Sequence, residues 1–123
     1  MKNFLLVGLG GLIGSVARYA LGLLFSKIAK TDFPWGTFAV NISGCLLMGV
    51  FIGYSVKQNW VNEQWQMFFI IGFCGGFTTF SSFAFENISM LQQQNYSGFI
   101  LYATGSVLLG LLAIWGGLYL AKT

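Results

Sequence analysis

The chain has 123 residues, with six Lys or Arg, three Asp or Glu and no His. Charged residues make up 7% of it and hydrophobic residues 56%, against about 25% charged in an ordinary soluble domain, so the polar side chains are too few to cover a water-soluble fold of this size. The net charge of +3 comes from cations scattered singly, without the cluster that nucleic acid requires. Three carboxylates without an imidazole leave little for acid–base or metal-dependent catalysis, so an enzyme is not expected. What remains is an integral membrane protein of a single domain, residues 1–123.

Four apolar runs follow in chain order. The first covers residues 3–26, broken only by Arg18. Lys2 ahead of an apolar run raises the question of a signal peptide, but the run continues past Arg18 without a small-x-small cleavage site, so it reads as a retained helix. The second covers 34–57 and opens on Pro34-Trp35, proline being suited to a first helical turn. The third covers 65–92 and the fourth 97–121. Each has at least about 20 residues, enough to cross about 30 Å of hydrocarbon at about 1.5 Å per residue. The expected fold is all-α, with four transmembrane helices joined by short loops at 27–33, 58–64 and 93–96. Trp35, Trp60, Trp65, Trp115 and Tyr119 fall near the predicted ends, where aromatic belts form. Cys45 and Cys74 lie inside apolar runs and read as small buried hydrophobes.

Seventeen glycines are present. Gly10 and Gly14, Gly49 and Gly53, and Gly72 and Gly76 are each four apart, the spacing that lets helices approach closely in lipid. Residues 8–14 are glycine-rich but lack the spacing and the preceding strand of a dinucleotide loop.

Lys2, Lys57 and Lys122 fall on one side of the membrane, Lys27 and Lys30 on the other, with Arg18 nearer the second side. The positive-inside rule then gives almost no preference. A chain that inserts either way can form an antiparallel homodimer, which would supply the inverted symmetry that many transporters carry within one chain.

Polar groups inside a span are costly and therefore informative. Arg18 either snorkels, pairs with Glu86, or makes a positive vestibule for anions. Asn41, in the middle third of span two, is either inter-helix glue or a pore ligand, and its amide can both donate and accept. Glu86 is either a proton carrier or an interfacial carboxylate; as a fixed negative charge it belongs off the axis of any anion route. The densest anomaly is Gly72-Phe73-Cys74-Gly75-Gly76-Phe77-Thr78-Thr79-Phe80-Ser81-Ser82-Phe83. Glycines followed by β-branched threonines are poor helix material, which predicts a mid-membrane break around residues 75–79. Unwound backbone at that depth is tolerated only when buried in protein or lining a cavity, and it offers free carbonyls. Phe80 and Phe83 then share a helix face, and the positive edge of an aromatic ring can stabilise an anion. Ser81 lies on another face. Tyr102 and Ser106, four apart in span four, place two hydroxyls on one side.

The segments at 10–19 and 36–44, and the run at 72–83 with Glu86, resemble the Fluc (CrcB) family of small bacterial fluoride channels, and the match covers essentially the whole chain. The resemblance implies an antiparallel dual-topology homodimer in the bacterial inner membrane, with two pores passively exporting fluoride and protecting the cell from it. It implies ring-edge fluoride ligands at Phe80 and Phe83, a pore asparagine at Asn41, and a polar track at Ser81, Tyr102 and Ser106. It also implies a structural sodium ion at the dimer centre, held by the backbone carbonyls of Gly75 and Thr78. Where relatives continue the track along span four, this chain has Gly110 and Ile114. A small multidrug-type transporter, the main rival, would need a carboxylate in span one, where this chain has Arg18. A non-conducting assembly factor would account for the glycines but not for the Phe/Thr/Ser cluster.

Overall fold

A computed structural model describes residues 1–58 and 62–122; Trp60, expected in an aromatic belt, lies outside them. The described chain is helical, with four stretches long and apolar enough to cross a membrane. It is a multi-pass membrane protein.

Helix α1 (Lys2–Ile28) ends where Ala29 turns extended and its N–H closes on the Phe25 carbonyl. The connection is short and tied down: Trp35 donates its backbone N–H to the Phe33 carbonyl, and its indole N–H to the Thr31 hydroxyl at 3.1 Å. Helix α2 (Trp35–Gln58) follows. Span three is assembled from pieces. Asn62 caps α3 (Glu63–Gln66) by accepting the Trp65 N–H at 2.9 Å. A π-helical segment, π1 (Met67–Cys74), comes next, then a single turn, α4 (Gly75–Phe77). Thr78 and Thr79 are extended, and Thr79 caps α5 (Phe80–Gln92) by accepting the Ser82 N–H on its hydroxyl. A turn with Gln94 at φ 61° leads to α6 (Tyr96–Lys122), whose first turn is capped by the Asn95 side chain.

The third helix is therefore broken, but more narrowly than expected. Gly75 and Gly76 stay helical, and the break falls on the two threonines. The reason is packing. A Cβ on Gly76 would lie 2.6 Å from the Gly11 carbonyl oxygen, and one on Gly72 would lie 2.8 Å from that of Val7. These glycines let α1 lie against π1 and α4, with Gly10 and Gly14 as their counterparts on α1. The second pair behaves alike: Gly49 and Gly53 meet the backbone of Ile114 and Leu118 as α2 runs along α6. All three spacings read as packing devices are used as such. The π-helical stretch has no counterpart in the sequence reading. Gly110 and Ile114 lie along the α2–α6 seam, where Gly110 backs onto the Cys45 sulfur.

Among the described residues, few side chains are buried within the single chain. The hydrophobic ones are Val40, Cys74, Phe77, Met90 and Tyr102, and Asn87 joins them. Large apolar residues along all four spans, from Phe4 to Leu120, face outward. Hydrocarbon tails are as apolar as leucine, so such helices gain little from hiding these side chains and hold together through close backbone approach instead.

Candidate functional site

The break is organised by one side chain. Asn41 of α2 donates its amide Nδ2 to the Thr79 carbonyl at 3.0 Å and accepts the Thr79 N–H on Oδ1 at 2.7 Å. It thus satisfies the backbone of an unwound residue that could not go unpaired in the membrane. The bonding then propagates. The Thr79 N–H, which would return to the Gly75 carbonyl in a continuous helix, goes to Asn41. The Ser82 N–H, which would return to the Thr78 carbonyl, goes to the Thr79 hydroxyl. Both carbonyls lose their helical donors for reasons visible in named side chains. Gly75 also looks onto open space on its side-chain side. The first half of the span closes at Cys74, whose carbonyl accepts both the N–H and the hydroxyl of Thr78.

On the other side of the break is a cleft of about 360 Å³. Asn41, Thr78, Thr79, Phe80, Phe83 and Ser106 are among the residues that line it, and none of its lining residues carries a formal charge. The Phe80 and Phe83 rings lie 6.0 Å apart between centroids. Phe80 is 80% exposed in the single chain, a large share for an aromatic at mid-membrane depth. The Ser106 hydroxyl oxygen is fully buried without a hydrogen-bond partner.

Two more clefts continue outward. One of about 300 Å³ shares Thr79 with the first and is lined by Arg18, Ser26, Thr37 and Ser82. The Arg18 Nε donates to the Gly76 carbonyl at 3.0 Å, which holds the guanidinium against the break. The outermost, of about 770 Å³, shares Thr37 and Ser26 with the second and reaches Lys30, Asp32 and Glu86. Glu86 accepts from the Thr37 hydroxyl on one oxygen and from the Tyr102 hydroxyl on the other, each at 2.8 Å. Its partners are thus two neutral hydroxyls; the pairing with Arg18 considered from the sequence is not made.

The structure brings Asn41, Phe80, Phe83 and Ser106 to one cleft, together with Thr78. Tyr102 is fully buried and does not line that cleft; its ring packs on Phe83 at 5.0 Å and its hydroxyl turns to Glu86. Ser81 is exposed, with its hydroxyl 3.4 Å from that of Thr79. Gly75 is exposed and is not among the residues lining the cleft. Sequence reasoning missed Thr37 and Ser82. Thr37 sits in the Gly36–Gly44 segment, four residues before Asn41 and so on the same helix face, and that spacing was the available signal.

Fold and site together define a class: a small polytopic membrane protein whose third helix is broken at a cleft lined by neutral donors and aromatic rings. The comparisons with known proteins then narrow it. Residues 5–118 match the family described as CrcB-like protein, Camphor Resistance (CrcB), and the chain belongs to this family. It is 49% identical over 122 residues to a protein of Flavobacterium psychrophilum named fluoride-specific ion channel FluC, covering 99% of this chain and 98% of that one. Proteins of the same name from Azobacteroides pseudotrichonymphae and Phocaeicola vulgatus are 45% and 44% identical, again over 99% of this chain. The family is one of ion channels, not enzymes.

Proposed function

We propose that this chain is a fluoride-specific channel of the bacterial inner membrane, working as an antiparallel homodimer with two pores. The observation that carries the reading is the cleft at the helix break, where Asn41, Phe80, Phe83 and Ser106 converge without a formal charge among the lining residues. Fluoride is small and strongly hydrated, so several donors must replace its water, yet conduction requires that it also leave. An amide N–H, hydroxyls and positive ring edges meet both needs, whereas a buried cation would trap the ion. Arg18, one cleft further out, raises the local concentration of anions without standing at the narrowest point. The names of relatives covering nearly the whole chain support the choice of fluoride over other anions.

Two features support the dimer. Phe80, placed where a pathway ligand is needed, is left largely uncovered by its own chain. The near-balance of Lys2, Lys57 and Lys122 against Lys27, Lys30 and Arg18 permits insertion in both directions. A structural sodium ion suits the break: the carbonyls of Gly75 and Thr78 are hard oxygen donors whose helical partners are engaged elsewhere. Two such carbonyls from each copy, meeting at a two-fold axis, would hold the ion and neutralise their own unpaired lone pairs. The sodium contributes cohesion of the dimer and is not transported.

The deciding experiment is ion efflux from liposomes containing the purified protein, followed with fluoride and chloride electrodes. Rapid fluoride release with negligible chloride release is expected. A folded sample that releases no fluoride overturns the proposal.

A further inference from the structure

The first connection carries an aromatic residue with no role in the reading so far. Phe33 lies between α1 and α2, and its ring meets Tyr102 of α6 edge-on, at 5.3 Å between centroids and 81° between planes. It is itself held by Trp35 at 4.6 Å and Phe38 at 5.9 Å, and its carbonyl accepts the Trp35 N–H. The indole bond to Thr31 ties Trp35 in turn to the same loop. Phe33 therefore stands on a fixed aromatic base at the first turn of α2 and reaches across to the fourth span.

Tyr102 has zero exposure, and two of its other contacts lead to different clefts. Its ring packs on Phe83, which lines the innermost cleft. Its hydroxyl donates to Glu86, which lines the outermost. The position of the ring thus sets where its hydroxyl meets the carboxylate at the mouth. Phe83 touches that ring from α5 and Phe33 from the loop.

We infer that Phe33 is a positioning residue of the anion pathway: it clamps the Tyr102 ring between the loop and Phe83 and so keeps the Tyr102 hydroxyl on Glu86. The inference rests on the channel reading and adds to it a residue from the first extramembrane connection. Removing the ring leaves Phe83 as the aromatic ring still packed on Tyr102 among the described residues and loosens the hold on its hydroxyl, whose withdrawal would leave Glu86 with Thr37 as its remaining donor.

The test is fluoride efflux from liposomes for Phe33→Leu, Phe33→Trp, Tyr102→Phe and the combination Phe33→Leu with Tyr102→Phe. Wild-type protein is run first, and a wild type without fluoride flux overturns the channel reading and this inference with it. With flux present, Phe33→Leu is expected to reduce the rate about two- to ten-fold, the factor to which the stabilisation of one aromatic pair corresponds. Phe33→Trp is expected to restore most of it. In the Tyr102→Phe background the Phe33→Leu change is expected to have little further effect, because the hydroxyl it positions is already gone. Unchanged flux in Phe33→Leu, or an equal fall in both backgrounds, overturns the positioning role and leaves the channel reading standing. Should Phe33→Leu fail to purify as a folded protein, Phe33→Met carries the same comparison.

Discussion

Asn41 shows how one side chain at membrane depth can hold a chain in a shape that its local sequence only permits. Its donor and its acceptor both go to Thr79. Replacing it by alanine strands a carbonyl and an N–H in a low-dielectric setting, each at about 1–3 kcal/mol. Asn41→Ala is therefore expected to lower stability by roughly 2–4 kcal/mol, seen as a fall in the thermal unfolding midpoint in detergent, and to abolish flux as the break loses its geometry. Phe80 and Phe83 call for the opposite kind of experiment, one that spares the fold. Isoleucine keeps most of the bulk and removes the ring edge. Either substitution is expected to reduce fluoride efflux by about ten-fold or more, a change of about 1.4 kcal/mol at the barrier, with the unfolding midpoint little changed. Unaltered flux in both variants would rule out ring-edge ligation.

At the scale of elements, glycine decides which helices touch. Gly14 faces the backbone of π1 and α4, where an added Cβ would sit 2.9 Å from the Phe77 nitrogen and closer still to the Phe73 carbonyl oxygen. Backbone cannot step aside as a flexible side chain can, so Gly14→Ala is expected to cost about 1–3 kcal/mol, the usual range for overpacking. Gly8, six residues earlier on the same helix, has nothing within 4 Å of its Cβ position. Gly8→Ala is expected to be neutral or slightly stabilising, since alanine is the better helix former. Comparing the two unfolding midpoints checks the assignment of the α1 seam. The same seam explains the reach of the break. The glycines and threonines at 75–79 predict a break over that stretch, yet only Thr78 and Thr79 unwind, because Gly75 and Gly76 belong to α4, which packs on α1. Helix propensity is a weak force beside tertiary contact. The π-helical register of Met67–Cys74 was likewise illegible: its residues are uniformly apolar, so no hydrophobic period distinguishes one helical pitch from another.

At the scale of the whole molecule, the expected dimer makes two further outcomes measurable. A tag on one terminus is expected to be accessible from both faces of the membrane, and labelling from one face alone would count against either-way insertion. Exchange of sodium for a large organic cation is expected to lower the unfolding midpoint of the dimer, because the Gly75 and Thr78 carbonyls would again face each other without a cation. A midpoint indifferent to sodium would remove the ion from the proposal.

Much about this protein was determined by the sequence alone. The scarcity of charge dictates a membrane environment, and run lengths of about 20 residues dictate four spans. The Gly/Thr cluster marks the third as the one that breaks. Asn41 and Ser106 stood out because polar groups in lipid need a reason to be there, and Phe80 and Phe83 because they share a helix face just after the break. The tertiary structure decided what each polar group answers to. Arg18 and Glu86 were plausible partners by depth, yet Arg18 holds the Gly76 carbonyl and Glu86 takes hydroxyls from Thr37 and Tyr102. Tyr102 and Ser106 share a face by spacing, yet one seals the wall between clefts while the other lines a cleft. Spacing along one helix fixes which residues point the same way, but not which neighbouring helix faces them or where that helix bends. Those relations arise from glycine contacts and a broken backbone that join residues far apart in the chain.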